Sequence, residues 1–423
     1  MKMLVVGGGG REHALVWKLA QSPKVSKIYC APGNAGIGEL AECVDIAAHD
    51  IDKLLSFARE EKIDLTVVGP EAPLMEGIVN RFIAAGLRIF GPSREAAEIE
   101  GSKSLAKRIM EKYQIPTGAY RVFDNSEDAV AYIKNTGTPI VVKADGLAAG
   151  KGVIVAQTEE EAISAVKEIL EDKIFGTAGI KVVIEEYLEG EEVSILAFTD
   201  GEHVIPMVSA QDHKRVFDND KGPNTGGMGA YSPAPVYSPE IARFTLEKIL
   251  KPTIAGLKKE GRTYRGVIYA GLMVTPQGVK VLEFNARFGD PEAQPVLMRL
   301  KTDLVDIMEA VLEGRLAEQE IKWSDEAAVC VVLASGGYPG SYRTGEKIYG
   351  LNQTGPDAYV FHAGTAYQGK DVVTAGGRVL GVTAKGGTVQ EAICRVYREV
   401  EKIRFTDMHY RTDIGKKALD RPE

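Results

Sequence analysis

The sequence predicts a multidomain protein that mixes the α/β and α+β classes, with a parallel α/β domain first and a β-rich domain last. Three observations predict this architecture. The chain has 423 residues, which is more than a single core normally organises. Strands and helices alternate up to about residue 101. Strand pairs joined by glycine-rich turns dominate the remainder.

The N-terminal region begins with short apolar strands, and each is followed by a turn rich in glycine or proline. A helix over residues 12–21 follows the first turn. Alternating strands and helices imply a parallel sheet, whose ligand crevice lies at the carboxyl ends of the strands. We therefore expect the turns to gather at one edge. The predicted strands span residues 2–6, 27–30, 64–68 and 87–90.

Four glycines, Gly7 to Gly10, lie between the first strand and its helix. Backbone N–H groups in such a turn can cradle a phosphate, helped by the helix N-terminus. The spacing departs from the dinucleotide fingerprint, because Glu12 or His13 stands where the third glycine belongs. The turn favours phosphate over NAD, with a tight turn that binds no ligand as the alternative.

The composition narrows the possible classes of protein. A net charge of −8 argues against a general binder of nucleic acid or membrane surfaces. No apolar run approaches the roughly 20 residues of a membrane helix, and the stretch after Met1 is expected to be a strand rather than a signal peptide. The scattered cysteines are expected to be reduced thiols, and the histidines lack the paired spacing of a zinc site. We expect a cytoplasmic protein.

A second glycine-rich loop lies between predicted strands at 139–143 and 153–156. The loop differs from a P-loop in three ways. Only three residues separate Gly146 from Gly150-Lys151, where a P-loop has four. No Ser or Thr follows the lysine, and the next element is a strand instead of a helix. We interpret the loop as a flap that closes over phosphates, with Lys143 reaching in from the strand. Solvated surface lysines are the alternative.

An acidic hairpin follows at residues 185–194. Strand alternation places Glu192 and Ser194 on one face. Glu192 could accept the ribose hydroxyls of a nucleotide, and backbone groups around 186–188 could bind an adenine edge. An ordinary acidic hairpin on the surface is the alternative.

The most informative stretch is residues 281–292. Period-two spacing places Glu283, Asn285 and Arg287 on one strand face. A carboxylate and an amide oxygen suit magnesium, and the arginine fork suits a phosphoryl group or a developing oxyanion. The opposite face, expected to pack in a core, carries Leu282, Phe284 and Ala286.

A polar stretch at residues 211–231 combines charges with glycines. It could be a mobile surface loop. It could also bind a zwitterion, with cations on the carboxylate and Asp212 on the amine. The residues alone leave both interpretations open.

The order of these motifs resembles that of the ATP-grasp ligases. A strand lysine comes first, followed by the flap, the acidic hairpin and the Glu-x-Asn-x-Arg strand. Within the ATP-grasp ligases, the chain resembles the phosphoribosylamine–glycine ligase family over essentially its whole length, from Gly7 to the stretches Gly-Gly-Tyr-Pro-Gly (336–340) and His-Ala-Gly-Thr (362–365). The motifs that carry the resemblance are Gly-Gly-Gly-Gly-Arg-Glu-His (7–13), Gln-Asp-His-Lys-Arg (211–215), Gly-Pro-Asn-Thr-Gly-Gly-Met-Gly-Ala-Tyr (222–231) and Arg-Phe-Gly-Asp-Pro-Glu (287–292).

The resemblance implies an N-terminal pre-ATP-grasp domain at 1–101 and a two-lobed ATP-grasp domain at 102–326, with a mobile lobe at about 117–189. A β-rich domain would follow at 327–423. It implies an enzyme of de novo purine synthesis that joins glycine to 5-phosphoribosylamine through glycyl phosphate, using ATP. The partners would be these small molecules, with no nucleic acid or membrane, and we expect a monomer.

By matching motif, the resemblance also implies the site residues and a cofactor set of ATP with Mg²⁺ or Mn²⁺. The metal ligands would be Glu283 and Asn285. The nucleotide would contact Lys103, Lys143, Gly150, Lys151, Gly152, Glu185, Glu186, Leu188 and Glu192. The substrates would contact Gly8, Gly9, Gly10, Arg11, Asn34, Glu71, Asp212, Arg287, Asp290 and Pro291. Catalytic roles would fall to Arg287, Asp212 and Lys214.

Three other interpretations stay open. A nicotinamide-dependent dehydrogenase would need the fingerprint that the first turn lacks. A non-catalytic nucleotide-binding regulator would bind ATP without glycine-dependent turnover. A sister ATP-grasp ligase for bicarbonate or formate would not need Asp212 to bind an amine.

Overall fold

The N-terminal region forms a five-stranded sheet in the order β3-β2-β1-β4-β5, with every strand parallel to its neighbour. The computed structural model describes residues 1–148 and 152–420. The predicted parallel sheet is confirmed. Its elements are β1 (Lys2–Gly7), α1 (Gly10–Leu19), β2 (Lys27–Pro32), β3 (Glu42–Cys43), α2 (Ile51–Glu60), β4 (Leu65–Val68), α3 (Glu71–Met75), α4 (Ile78–Ala84), β5 (Ile89–Phe90) and α5 (Arg94–Gly101).

The turns after β1, β2 and β4 meet at the carboxyl edge of this sheet. Gly33 N donates to the Gly7 carbonyl at 3.1 Å, and Gly69 N donates to the Val6 carbonyl at 3.0 Å. A Cβ atom on Gly8 would lie 2.4 Å from the Gly33 carbonyl oxygen, so the close approach requires glycine. The predicted gathering of these turns is confirmed.

A four-stranded antiparallel sheet, in the order β6-β9-β7-β8, forms the next unit and packs two helices over its own hydrophobic core. The preceding helix α6 (Lys103–Lys112) begins at Ser102, whose hydroxyl accepts a hydrogen bond from Leu105 N at 3.2 Å. The serine side chain thereby satisfies one of the backbone N–H groups that the first helical turn leaves free. The elements of the unit are β6 (Tyr120–Phe123), α7 (Ser126–Thr136), β7 (Ile140–Ala144), β8 (Val153–Ala156), α8 (Glu159–Leu170) and β9 (Val182–Glu186).

A second antiparallel sheet, in the order β11-β10-β16-β17, carries the Glu-x-Asn-x-Arg strand at its edge. A π-helical turn at Thr245–Leu250 joins α9 to α10. The elements of this stretch are β10 (Glu191–Thr199), β11 (Val204–Pro206), β12 (Gln211–Asp212), β13 (Arg215–Phe217), β14 (Lys221–Asn224), β15 (Gly229–Ser232), α9 (Pro239–Phe244), α10 (Lys251–Lys259), β16 (Gly266–Thr275), β17 (Gly278–Asn285), α11 (Ala293–Arg299) and α12 (Leu304–Glu313).

One prediction about β17 is wrong. The register opposite β16 shifts so that Glu283 pairs with Gly271 while Val281 pairs with Leu272, which leaves Leu282 as the extra residue of a β-bulge. Val281 is therefore fully buried and Leu282 only partly buried, although strict alternation assigned Leu282 to the core. The predicted core positions Phe284 and Ala286 are buried.

The C-terminal region is built around a sheet in the order β12-β15-β18-β22-β19, so two short strands from residues 211–232 belong to it. The twelve-residue helix α13, which the sequence analysis did not predict, packs against β22 and β18. Among the described residues, no helix is both long and apolar enough to cross a membrane. The elements are β18 (Ala327–Ala334), β19 (Ala358–His362), β20 (Thr365–Gln368), β21 (Asp371–Thr374), β22 (Arg378–Gly386), α13 (Val389–Val400) and α14 (Lys416–Leu419).

Three buried histidines are expected to make the stability of the fold depend on pH. Burial lowers the pKa of His13 to about 3, with a smaller contribution from His362, and it lowers the pKa values of His362 and His213 to about 4. Because a histidine in an unfolded chain binds a proton below about pH 6.5, the unfolded chain binds more protons than the folded chain between about pH 6.5 and 4. Stability therefore falls as the pH decreases through this window.

The expected loss approaches ~1.4 kcal/mol per pH unit for each histidine. Urea unfolding across this window measures it. The exposed His49 provides the control, and its replacement with glutamine should change the slope less than replacement of a buried histidine. A free energy of unfolding that stays flat from about pH 6.5 to 4 would contradict the expectation.

Candidate active site

The polar face of β17 lies in a cluster of cations. The Glu283 side chain is 33% exposed, and its Oε1 lies 3.8 Å from Lys214 Nζ. Burial raises the pKa of the Glu283 carboxyl, but surrounding positive charges outweigh burial and hold that pKa below its ordinary value. The face therefore keeps an ionised carboxylate at neutral pH. In decreasing order of effect, the cations are Lys214, Lys143, Lys103 and Arg287.

A buried ion triad lies beside this face. Glu185 Oε1 is 2.9 Å from Lys143 Nζ, and Glu185 Oε2 is 2.8 Å from Lys107 Nζ. The three side chains are 2–7% exposed. Lys143 Nζ also donates to the Leu282 carbonyl at 3.3 Å, at the bulge of β17. One carboxylate cannot neutralise two lysines, so the triad retains one positive charge.

Lys103 approaches the same place from the start of α6. Its Nζ donates to the Gly146 carbonyl at 3.1 Å, and its backbone N donates to the Asp145 carbonyl at 3.0 Å. Burial lowers the pKa of Lys103, and the nearby Glu283 opposes that shift. At the other end of the flap, the Gly152 carbonyl accepts from Ala144 N at 2.8 Å. The predicted residues Gly150 and Lys151 lie outside the described residues.

The predicted acidic hairpin at residues 185–194 is wrong, because β9 and β10 belong to different sheets and do not pair. The acidic segment that joins them still contributes two ion pairs. Glu192 Oε2 lies 2.8 Å from Lys214 Nζ, which brings the start of β10 to the polar face of β17. Glu186, at the end of β9, pairs with Lys280 of β17. The Glu186 backbone N–H already donates to the Ala119 carbonyl at 2.9 Å, so that group is not free for an adenine edge. The half-buried Leu188 follows β9.

The first glycine turn is stabilised by a side chain of the helix that follows it, α1. Gly9 N donates to Glu12 Oε2 at 2.6 Å, and Glu12 Oε1 pairs with Arg11 Nε at 2.6 Å. Arg11 N donates to Asp290 Oδ2 at 3.3 Å, which joins the turn to the residues after β17. A Cβ on Gly10 would also lie 3.6 Å from Asp290 Oδ1.

Asn34 connects the first turn to the C-terminal region. Its Nδ2 donates to the Gly8 carbonyl at 2.9 Å and to the His362 carbonyl at 2.8 Å. His362 N in turn donates to His13 Nδ1 at 2.7 Å. The amide of Asn34 therefore fixes the glycine turn against β19, and the predicted substrate residue has a structural task as well.

Asp212 and Pro291 meet at Gly227. A Cβ on Gly227 would lie 2.7 Å from Asp212 Oδ1 and 2.4 Å from Pro291 Cδ, and its φ of +113° also requires glycine. Burial raises the pKa of the Asp212 carboxyl well above its ordinary value, and the negative charge of Glu292 adds to the rise. A cationic group bound beside Asp212 would restore its ionised form.

The pKa of Asp290 is shifted in the opposite direction to that of Asp212. Burial raises the pKa of its carboxyl, but Arg378 and Arg11 outweigh burial and hold that pKa low. Arg378 Nη1 lies 3.4 Å from Asp290 Oδ1 and donates to the carbonyls of Gly226 and Asp290 at 2.8 and 2.9 Å. The C-terminal region therefore supplies a cation to this end of the site.

Arg287 lies where the two halves of the site meet. Its Nε is 3.3 Å from Glu71 Oε2, and its Nη2 is 2.9 Å from Glu100 Oε1. Nη2 also donates to Asn285 Oδ1 at 3.3 Å. One half holds Glu283 with its lysines and Glu192, and the other half holds Asp290 with the glycine turn. Arg287 contacts residues of both halves.

Several charged residues at the site were missed by the sequence analysis. Lys107 carried a signal, because it lies one helical turn after Lys103 on α6. Glu100 and Arg378 carried none, because each meets its partners across more than 80 residues of sequence. Glu292 was within a quoted motif, and its carboxylate accepts from the Ser194 and Tyr269 hydroxyls at 3.1 and 2.9 Å.

The residues present fit a divalent cation that keeps part of its shell for water and phosphate. Glu283 and Asn285 offer two hard oxygen donors on one strand face, the chemistry that Mg²⁺ prefers. Within residues 1–148 and 152–420, no three His, Cys, Asp or Glu side chains gather to hold a metal alone. A nucleotide phosphate would have to complete such a shell.

Comparison with known proteins places the chain in one family along essentially its whole length. Models of the phosphoribosylglycinamide synthetase N domain, ATP-grasp (A) domain and C domain match residues 1–100, 101–293 and 328–417. A phosphoribosylamine–glycine ligase from Halalkalibacterium halodurans is 56% identical over 419 residues, covering 99% of this chain and 97% of that relative.

Solved structures give the same picture. The phosphoribosylamine–glycine ligase from Thermotoga maritima matches with a TM-score of 0.86 at 33% identity, covering 98% of this chain and all of that one. A biotin carboxylase domain from Hydrogenobacter thermophilus, solved with MgADP, ADP and bicarbonate, matches with a TM-score of 0.76 over 97% and 91% of the two chains. At 16% identity, that match shows the fold alone.

Proposed function

The chain belongs to the phosphoribosylamine–glycine ligase family, and we propose that it joins glycine to 5-phosphoribosylamine while converting ATP to ADP and phosphate. The family consists of ATP-grasp ligases of purine biosynthesis that use ATP and a divalent metal. The observation that carries the proposal is the buried triad of Lys107, Glu185 and Lys143 beside Glu283. Its uncompensated positive charge suits nucleotide phosphates.

Nucleotide binding is assigned to the lysine half of the site. Lys143 and Lys103 would contact the phosphates, and Glu192 would accept the ribose hydroxyls. The flap, with Gly150, Lys151 and Gly152, would close over the phosphates and exclude water from a reactive intermediate. Two supporting observations are the anchoring of Lys103 to the flap at Gly146 and the position of Glu192 beside Lys214.

The metal is assigned to Glu283 and Asn285, with Mg²⁺ as the proposed ion and Mn²⁺ as its alternative. When bound, it would neutralise charge on the transferring phosphoryl group. The ionised state of Glu283 supports this assignment, because four cations hold its pKa low.

The reaction would proceed in two displacements. The glycine carboxylate attacks the γ-phosphorus of ATP, ADP leaves, and glycyl phosphate forms. The amine of phosphoribosylamine then attacks the acyl carbon and loses one proton, and phosphate leaves. Arg287 would stabilise the acyl phosphate and the tetrahedral intermediate. Asp212 would bind the ammonium group of glycine, and Lys214 would bind its carboxylate.

Phosphoribosylamine is assigned to the carboxyl edge of the N-terminal sheet. The glycine turn, Arg11 and Asn34 would bind it from one side, with Glu71, Asp290 and Pro291 on the other. The hydrogen bond from Arg11 N to Asp290 supports a continuous surface between the two sets.

The predicted domain boundaries at 101/102 and 326/327 are proposed for the same chain, with residues 117–189 as the mobile lobe. The separate core of the β6-β9-β7-β8 unit supports a lobe that moves as one body. A monomer in the cytoplasm completes the proposal.

Release of ADP tests the function directly. We expect turnover with ATP, Mg²⁺, glycine and phosphoribosylamine generated in the assay, and loss of turnover when either glycine or phosphoribosylamine is omitted. Bicarbonate and formate in place of glycine are the controls for the sister ligases. Turnover that persists without glycine would contradict the assignment.

A further inference from the structure

A buried carboxylate that has no role in the proposed reaction lies directly behind the polar face of β17. Glu100 is the penultimate residue of α5, and its side chain is 6% exposed. Its Oε2 accepts a hydrogen bond from Ala286 N at 2.6 Å, and its Oε1 lies 2.9 Å from Arg287 Nη2. One carboxylate therefore holds the two residues that directly follow β17.

These contacts continue into the site. The same Arg287 nitrogen that meets Glu100 donates to Asn285 Oδ1 at 3.3 Å. Fixing Ala286 N and the guanidinium together sets both the end of the strand and the direction of the arginine fork. Glu100 thus acts on Arg287 directly and on Asn285 through it.

Glu71 is a different kind of partner for Arg287. Its side chain is 30% exposed, and it meets Nε at the longer distance of 3.3 Å. Glu100 is buried and makes the shorter contact, and burial raises the pKa of its carboxyl despite the opposing charge of Arg287. A buried ion pair with an added backbone hydrogen bond gives a fixed geometry, whereas a longer, partly exposed pair can be exchanged for a ligand.

We propose that Glu100 is a positioning residue for the ligation reaction, and that it holds Arg287 in the orientation that meets the acyl phosphate. The inference rests on the proposed function for its kinetic consequence, but the geometry it assigns to Arg287 can be tested without turnover. Glu100 touches no reacting atom. Its contribution is the placement of Arg287, a cation that contacts both halves of the site.

The variant Glu100→Gln tests this role, because glutamine keeps the shape and the acceptor for Ala286 N but loses the charge that holds Arg287. We expect kcat to fall about 10- to 100-fold, the effect of misplacing a catalytic group by about an ångström. The KM for ATP and the Kd for ADP are expected to change by less than about threefold, because the lysines that bind phosphate are untouched.

Two further variants separate position from stability, since removing a buried carboxylate also lowers stability. Glu100→Asp keeps the charge, and its kcat is expected to lie between those of Glu100→Gln and the wild type. Glu98→Gln is the matched control, because Glu98 lies on the same helix and pairs with Arg262 at 2.6 Å near the surface. It is expected to keep the wild-type kcat.

A double-mutant cycle asks whether Glu100 acts through Arg287. In an Arg287→Gln background, Glu100→Gln is expected to add little further loss of kcat. An undiminished second loss in that background overturns the proposal, and so does a kcat for Glu100→Gln within about twofold of the wild type.

A crystal structure of Glu100→Gln provides the readout that does not depend on activity. The expected result is a guanidinium of Arg287 turned away from Asn285 in an otherwise unchanged fold, and an unmoved guanidinium overturns the proposal. Wild-type protein that fails to ligate glycine would contradict the proposed function instead, and the position of Arg287 would still decide the role of Glu100.

Discussion

Replacing Glu283 with glutamine is expected to reduce ligation severely while leaving the protein folded. The variant loses the one carboxylate on the polar face of β17 and leaves four cations without it. We expect kcat/KM to fall by about 100- to 1,000-fold, the range for losing one electrostatic group at a reacting centre. The effect on stability is expected to be small, because the side chain is 33% exposed and Lys214 Nζ lies as far as 3.8 Å from its carboxylate.

Initial rates and thermal melting of the same preparation measure both effects. Glu202→Gln is the matched control, since Glu202 forms an exposed pair with Lys258 on a different surface. It should change neither quantity. A variant that melts far below the wild type, yet retains full activity per folded molecule, would make Glu283 a structural residue and not a ligand.

The polar face of β17 was predictable because it depends on local geometry alone. Period-two alternation puts Glu283, Asn285 and Arg287 together in any strand, whatever the rest of the chain does. Leu282 shows the limit of that reasoning. The bulge that displaces Leu282 arises from the pairing of β17 with β16, and nothing in the sequence of residues 281–287 predicts a bulge.

The parallel sheet was predictable for a similar reason, because the alternation of strands, turns and helices can be identified from consecutive residues. The partners of the charged residues were not. The resemblance assigned Glu185 to the nucleotide, and its carboxylate is paired with Lys107, 78 residues earlier, and with Lys143. Burial and charge pairing of this kind are set by tertiary packing, which spacing does not encode.

Glu185→Gln and Glu186→Gln are expected to differ widely in stability, although the two residues are neighbours. Removing the Glu185 charge leaves Lys107 and Lys143 buried and uncompensated, at an expected cost of about 3–5 kcal/mol. Glu186 pairs with Lys280 where both side chains are about a third exposed, so its replacement is expected to cost less than about 1 kcal/mol. Calorimetric melting of the two variants measures the contrast.

The pH dependence of Glu185→Gln identifies the cause of its loss. Burial lowers the pKa of Lys107 while Glu185 raises it, so removing that carboxylate lowers the pKa further. Below the ordinary lysine pKa of about 10.4, the unfolded chain then binds protons that the folded chain releases, so stability rises as the pH increases toward that value. Two outcomes would show that the two lysines do not repel each other in the folded protein. One is a loss of stability in Glu185→Gln no larger than that in Glu186→Gln. The other is a loss of stability in Glu185→Gln that does not change with pH. The triad would then carry no uncompensated positive charge to attract the phosphates of ATP.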